Sequence, residues 1–181
     1  MMAQGLLKRM IKLESDRLLI RHYLESDLDN LHTLISDEDN MRLVDDIFSN
    51  SIEETAQSLT HVMKNEDGQY FVICVKDNFE FIGGVGYTYT DIEQAKGIKI
   101  AHLGYFILPQ YHGKGYVTEA VKRVLKFAFE GDGCSRITTG CHSKHVASER
   151  VMIKAGFCKM SECAEDRLEY ALDVDDFNNN I

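Results

Sequence analysis

Residues 106–121, FILPQYHGKGYVTEAV, run from a strand pattern through a turn holding Gly113 and Gly115 into a helix pattern. The first N–H groups of a helix have no partners within it, and the helix dipole adds partial positive charge there. Such a junction holds a phosphate or diphosphate. The two glycines leave its backbone uncovered, and Lys114 adds a full charge. The nucleotide-binding pattern G-x-x-x-x-G-K-[ST] is absent, because Lys114 is followed by Gly115. The run IGGVGY (82–87) lacks the third glycine of a dinucleotide loop and no helix follows it. It reads as a strand whose glycines let backbones approach closely.

The elements around the turn read as a mixed α/β chain. After Pro109, the single proline, Val117, Ala120, Val121, Val124, Leu125 and Ala128 recur at helical spacing. The segments 70–76 (YFVICVK), 81–89 and 99–108 are rich in branched and aromatic residues and read as strands, with 91–97 as a loop. Residues 18–24 and 136–140 are shorter strand candidates. Helices are expected after Ser26 and Asp27, irregularly over 37–48, after the capping box Ser51/Glu54, and over 146–155, stopped by Gly156. A hairpin of 158–163 with 168–174 closes the chain. The strand–helix–strand pieces imply at least one parallel pair.

The 181 residues, 44% hydrophobic and 27% charged, fit one domain. We expect it over 13–181, behind a variable N-terminal extension at 1–12. That extension, MMAQGLLKRMIK, lacks the apolar core and cleavage site of a signal peptide, and no apolar run reaches the roughly 20 residues of a membrane helix. The expectation is a cytoplasmic protein with no membrane partner. A net charge of −9 argues against a nucleic-acid partner. It suits a cationic substrate, and equally an ordinary solvated surface. Five cysteines without C-x-x-C spacing point to reduced thiols. Cys141, His142 and His145 cluster, but without the spacing or fourth ligand of a metal site; no metal is expected.

The stretch Gln110-Tyr111-His112-Gly113-Lys114-Gly115 matches the Q/R-x-x-G-x-G/A signature of the GNAT superfamily of N-acetyltransferases. The longer run LGYFILPQYHGKGYVTEAV, with RLLIRHYLESDLDNL near the start and ASERVMIKAGF at 147–157, resembles the RimJ/RimL branch, which acetylates ribosomal-protein N-termini and related amines. The resemblance spans about residues 13–175. It implies a mixed, mostly antiparallel sheet flanked by helices, with a splayed parallel strand pair. It implies acetyl-CoA as cosubstrate and a primary amine, on a protein terminus or small molecule, as acceptor, in a monomer or homodimer. The diphosphate would lie on the amides of His112, Gly113, Lys114, Gly115 and Tyr116, with Gln110, Val117 and Thr118 beside it. The pantetheine arm would pair with the strand ending at Leu108, and the amides near Phe106 and Ile107 would polarise the thioester carbonyl.

In such direct transfer the amine attacks without a covalent enzyme intermediate, so positioning supplies most of the acceleration. Many relatives place an acidic tyrosine four residues before the glycine of the G-F pair; here Met152 stands there. The branch's alternative donor, a serine, matches Ser148. The usual cofactor-seating asparagine is replaced by His145, which retains one hydrogen bond to give. His102 is the first candidate for the base, with Asp91 and Glu93 as alternatives. Glu119 suits the first turn of a helix, and Lys122, Arg123 and Lys126 either meet the cofactor's 3′-phosphate or form a solvated helix face. An acyl-CoA-binding regulator without turnover is the competing class.

Overall fold

The computed structural model describes residues 11–44, 48–93, 96–160 and 166–179. Its strands are β1 (Lys12–Glu14), β2 (Leu18–His22), β3 (Gly68–Val75), β4 (Phe81–Glu93), β5 (Ile98–Ile107), β6 (Arg136–His142), β7 (Cys158–Lys159) and β8 (Arg167–Asp173). They form a sheet in the order β1-β2-β3-β4-β5-β6-β8-β7. The helices are α1 (Leu28–Ile35), α2 (Glu38–Met41), α3 (Ile52–Lys64), α4 (Tyr116–Lys126), α5 (Val146–Ala155) and α6 (Val174–Asn179). The β5–β6 pair is parallel and every other neighbouring pair is antiparallel.

Successive strand residues face opposite sides of a sheet, and here both sides are covered. Leu18, Ile20, Phe71, Ile73, Ala101 and Leu103 pack with Val121, Val124 and Leu125 of α4 and Met152 of α5. Leu19, Val72 and Cys74 pack on the other side with Leu31, Leu34 and Ile35 of α1 and Leu59 of α3. This explains the unbroken apolar run of β3, which must satisfy two cores at once. The run 82–87 lies inside β4. A Cβ at Gly83 would collide with the Phe106 carbonyl, and one at Gly84 would meet the Phe106 ring at 2.7 Å.

Several local readings change. Of the expected loop 91–97, residues 91–93 belong to β4 while Lys96 and Gly97 are not strand; β4 and β5 pair out to Glu93 and Ile98, with a register shift between Tyr89 and Asp91. Residues 94–95 lie outside the described set, as do 1–10 of the expected extension and 161–165 of the closing hairpin. The sheet already includes Lys12, and Ile11 packs against the core. Of the stretch 37–48, only Glu38–Met41 is helical among the described residues. Ser51 caps α3 by accepting from the Glu54 amide at 3.2 Å. Asp27 does not cap α1; its carboxylate takes both terminal nitrogens of Arg21, at 2.7 and 2.8 Å. The chain after β8 turns into α6, which its Asp and Asn residues did not suggest.

At its end α4 widens into a π turn, Phe127–Gly131, in which Asp132 N donates to Phe127 O at 2.9 Å. This aims the Asp132 carboxylate at the sheet, where it accepts from Tyr87 Oη (2.8 Å), Tyr89 Oη (2.7 Å) and Lys99 Nζ (2.8 Å). Tyr87 is fully buried, so Asp132→Ala strands its hydroxyl. We expect a loss of about 1–3 kcal/mol, measured as a melting temperature lower by roughly 2–4 °C per kcal/mol.

Candidate active site

The site is built where β5 and β6 stop pairing. Their register runs from Ile100↔Arg136 to His102↔Thr138 and ends there. Beyond it β6 stays on β8 as far as His142↔Arg167, and β5 stays on β4 as far as Ile107↔Gly83. Thr139 Oγ1 donates to Leu103 O at 3.0 Å, a side chain standing in at the start of the split. Leu108 N donates to Ile82 O at 2.9 Å. The alternation of an antiparallel ladder then turns the polar backbone of Phe106 towards β4, and that of Tyr105 and Ile107 into the split. Ile107 O accepts from His112 Nε2 at 3.2 Å and from Asn40 Nδ2 at 3.4 Å. Of the two amides expected to face a thioester, Ile107 N–H alone is so directed. The Phe106 amide faces the ladder and its ring packs in the α1/α3 core with Leu108.

At the outer end of β5, Pro109–Tyr111 form a single 3₁₀ turn that includes Gln110, and His112 is extended. Gly113 and Gly115 then take φ of 72° and 80°, a region that glycine enters without steric cost. A Cβ at Gly113 would meet only open space, so the backbone ahead of Tyr116, Val117 and Thr118 is uncovered. Lys114 is exposed, its ammonium 5.0 Å from the centre of the Tyr111 ring.

A latch that sequence reading missed holds this turn. Arg17 Nη1 donates to Lys114 O at 3.1 Å, and its Nε and Nη2 each lie 2.7 Å from Glu119 Oε2. The Arg17 amide and Ser15 Oγ donate to Glu119 Oε1 at 2.9 and 2.8 Å. The guanidinium also lies 4.5 Å over the Tyr116 ring. Burial raises the Glu119 pKa, but the bonds from Arg17 and Ser15 outweigh it and hold the carboxyl below its usual range. Glu119 therefore does more than suit the dipole: it ties the first turn of α4 to the β1–β2 connection. Of the basic residues on α4, Arg123 donates to Glu14 O at 3.0 Å and Lys126 lies 3.9 Å from Glu130.

Across the split, α5 begins after His145, whose side chain makes no capping bond. Burial, then His112 and His142, push the His145 imidazole below its ordinary basicity. Among the described residues no group of three His, Cys, Asp or Glu is arranged to hold a metal. Ser148 is buried in the first turn of α5. Tyr105 Oη lies 3.0 Å from its carbonyl oxygen and 2.9 Å from its Oγ. Met152 is fully buried in the core. Sequence reading did not single out Tyr105; it lies beyond the end of the β5–β6 register and reaches across to α5.

His102 lies on the opposite face of the sheet. Its Nδ1 is 3.1 Å from Thr138 Oγ1. Burial lowers its pKa, Glu169 acts to raise it and Arg167 to lower it, with a net fall. A Cβ at Gly104 would meet nothing, and one at Gly140 would meet the Glu169 carboxylate at 2.7 Å, so this face is open and acid-edged beside His102. Asp91 and Glu93 are exposed towards the tip of the β4–β5 hairpin, and Glu93 pairs with Lys96 at 2.7 Å.

No helix among the described residues is long and apolar enough to cross a membrane. The model of the acetyltransferase (GNAT) domain family matches residues 17–158. The uncharacterized N-acetyltransferase YoaA of Bacillus subtilis (strain 168) is 27% identical over 150 residues, 81% of this chain and 82% of its own. Spermidine N-acetyltransferase from Vibrio cholerae, solved with CoA and spermine, superposes with a TM-score of 0.79 at 17% identity, over 91% of this chain and all of its own. RimL, the ribosomal L7/L12 alpha-N-protein acetyltransferase solved with coenzyme A, does so with a TM-score of 0.74 at 19% identity, over 92% and 99%. With the family's domain matched over most of its length, and the glycine turn and parted strands in place, the chain belongs to the GNAT acetyltransferases, enzymes that draw on acetyl-CoA.

Proposed function

We propose that this N-acetyltransferase passes the acetyl group directly to a primary amine, on a protein N-terminus or a small molecule. One juxtaposition carries the reading: an uncovered turn that can hold a diphosphate lies at one end of a strand edge whose Ile107 N–H faces the split. The diphosphate of acetyl-CoA would sit on the amides of residues 112–116, with Gln110, Val117 and Thr118 flanking it. The arm would follow β5 to Leu108, and Ile107 N–H would meet the thioester oxygen as charge builds on it. The turn leaves room for the diphosphate, because a Cβ at Gly113 would meet nothing within 4 Å. His145 would border the arm at the start of α5.

The acceptor would come from the His102 face, between the early helices and the final hairpin. Removing one proton from its ammonium is the base's task. Burial keeps His102 below its ordinary pKa, hence neutral at pH 7, and the Glu169 carboxylate, paired with Arg167 at 3.2 Å, lies on the same face. The proteins named for L7/L12 and spermidine support an amine of either size.

Gly113→Glu should weaken acetyl-CoA binding by at least about 100-fold through bulk and like charge at the diphosphate. Gly113→Ala, which shares the backbone strain but not the charge, should lose far less. Isothermal titration decides; full affinity in Gly113→Glu would refute the loop assignment. Tight binding with no transfer to any of a panel of amines would instead favour a regulator.

A neutral imidazole base is active above its pKa and lost as pH falls through it. With the His102 pKa lowered, the acid limb of kcat/KM should lie below about 6.5. His102→Gln should remove that limb and cost roughly 10²–10⁴ in kcat. An unchanged pH profile in that variant would move the base elsewhere.

A further inference from the structure

Tyr105 spans the split. It rises from β5 two residues before Ile107 and reaches the first turn of α5, with Oη 3.0 Å from Ser148 O and 2.9 Å from Ser148 Oγ. A phenol carries one proton. When that proton is on the Ser148 carbonyl, the phenol oxygen is left to accept the serine O–H, with the Cys141 thiol as the serine's other neighbour. When it is on Ser148 Oγ, the serine O–H is released and can turn into the cleft. Met152, one turn further along α5, is fully buried and has no proton to give.

We propose that Tyr105 is a positioning residue for acetyl transfer: by shifting its hydrogen bond from the carbonyl of Ser148 to the hydroxyl, it frees the serine proton to hold the departing sulfur as a thiolate. This rests on the acetyl-transfer reading above. The C–N bond forms, the C–S bond breaks and sulfur keeps the electron pair. The ammonium proton leaves to the base on the His102 face, and the thiolate takes its own proton from water after release. Neither hydroxyl loses its proton. A thiol ordinarily titrates near 8.5 and a phenol near 10, so a phenol is the weaker acid, and burial pushes Tyr105 further up. An aliphatic hydroxyl is weaker still. Proton transfer from this pair to a thiolate would run uphill, whereas a hydrogen bond to it costs no such transfer.

Tyr105→Phe keeps the ring and removes both hydrogen bonds. Steady-state kinetics with acetyl-CoA and the best acceptor of an amine panel should give a kcat about tenfold lower, the loss of roughly one hydrogen bond, with the acetyl-CoA KM within about twofold. Ser148→Ala should lower kcat as well, and adding Tyr105→Phe to it should cost nothing more, because residues acting through one group are not additive. A wild-type kcat in Tyr105→Phe, or the same further loss in the Ser148→Ala background, would overturn the proposal and leave Tyr105 a strut. Should Tyr105→Phe not fold, the pH profile of Ser148→Ala carries the test: its alkaline limb should match wild type, and a limb that vanished with the serine would make Ser148 a titrating acid. A wild-type enzyme inactive on every amine would overturn the functional reading and this inference with it; additive losses on an active enzyme overturn this inference alone.

Discussion

A strand can pair with only one neighbour on each edge, and β5 loses one of its two partners partway along. Its β4 edge remains paired to Ile107, while the β6 edge is paired only over Ile100–His102. Backbone polar groups away from water need partners, so the residues beyond His102 are left with an unmet requirement. The protein meets part of it itself: Thr139 takes the carbonyl of Leu103, and His112 with Asn40 takes that of Ile107. What is left is an unpaired edge of β5 beyond His102, which under the proposed function would take an extended chain and aim it.

The aiming comes from the two ends. At one end the backbone of Gly113 and Gly115 turns the chain into α4, while Arg17 and Glu119 fasten that turn to the first strands. At the other end Tyr105 fixes the first turn of α5 across the gap. The two faces differ in chemistry. The α4/α5 face offers amides, hydroxyls and imidazoles suited to an anionic carrier and its thioester. The opposite face carries His102 and the Glu169–Arg167 pair, where the proposed function would seat the amine. In the proposed reaction, attack through the gap in the sheet would bring the two reactants together without mixing their environments.

The turn and α4 were legible because their signals are local: glycines at fixed offsets, then an apolar stripe with helical period. α5 was legible for the same reason, with Gly156 at φ 98° closing it. The features that distinguish this site were not local. Arg17 and Glu119 are 102 positions apart. Nothing near Tyr105 says that β6 departs just before it. The choice between Phe106 and Ile107 depends on the parity of the β4–β5 register, which a strand pattern does not specify. The tip of the same hairpin read as a loop because Asp91, Glu93 and Gly97 are poor strand formers. Cross-strand pairing overrode that preference as far as Glu93.

A crystal structure with acetyl-CoA tests the central claim most directly. The account predicts the diphosphate on the amides from His112 to Tyr116, and the thioester oxygen within hydrogen-bonding distance of Ile107 N. Phosphates bound elsewhere, or an arm that leaves the open edge of β5 unpaired, would contradict it.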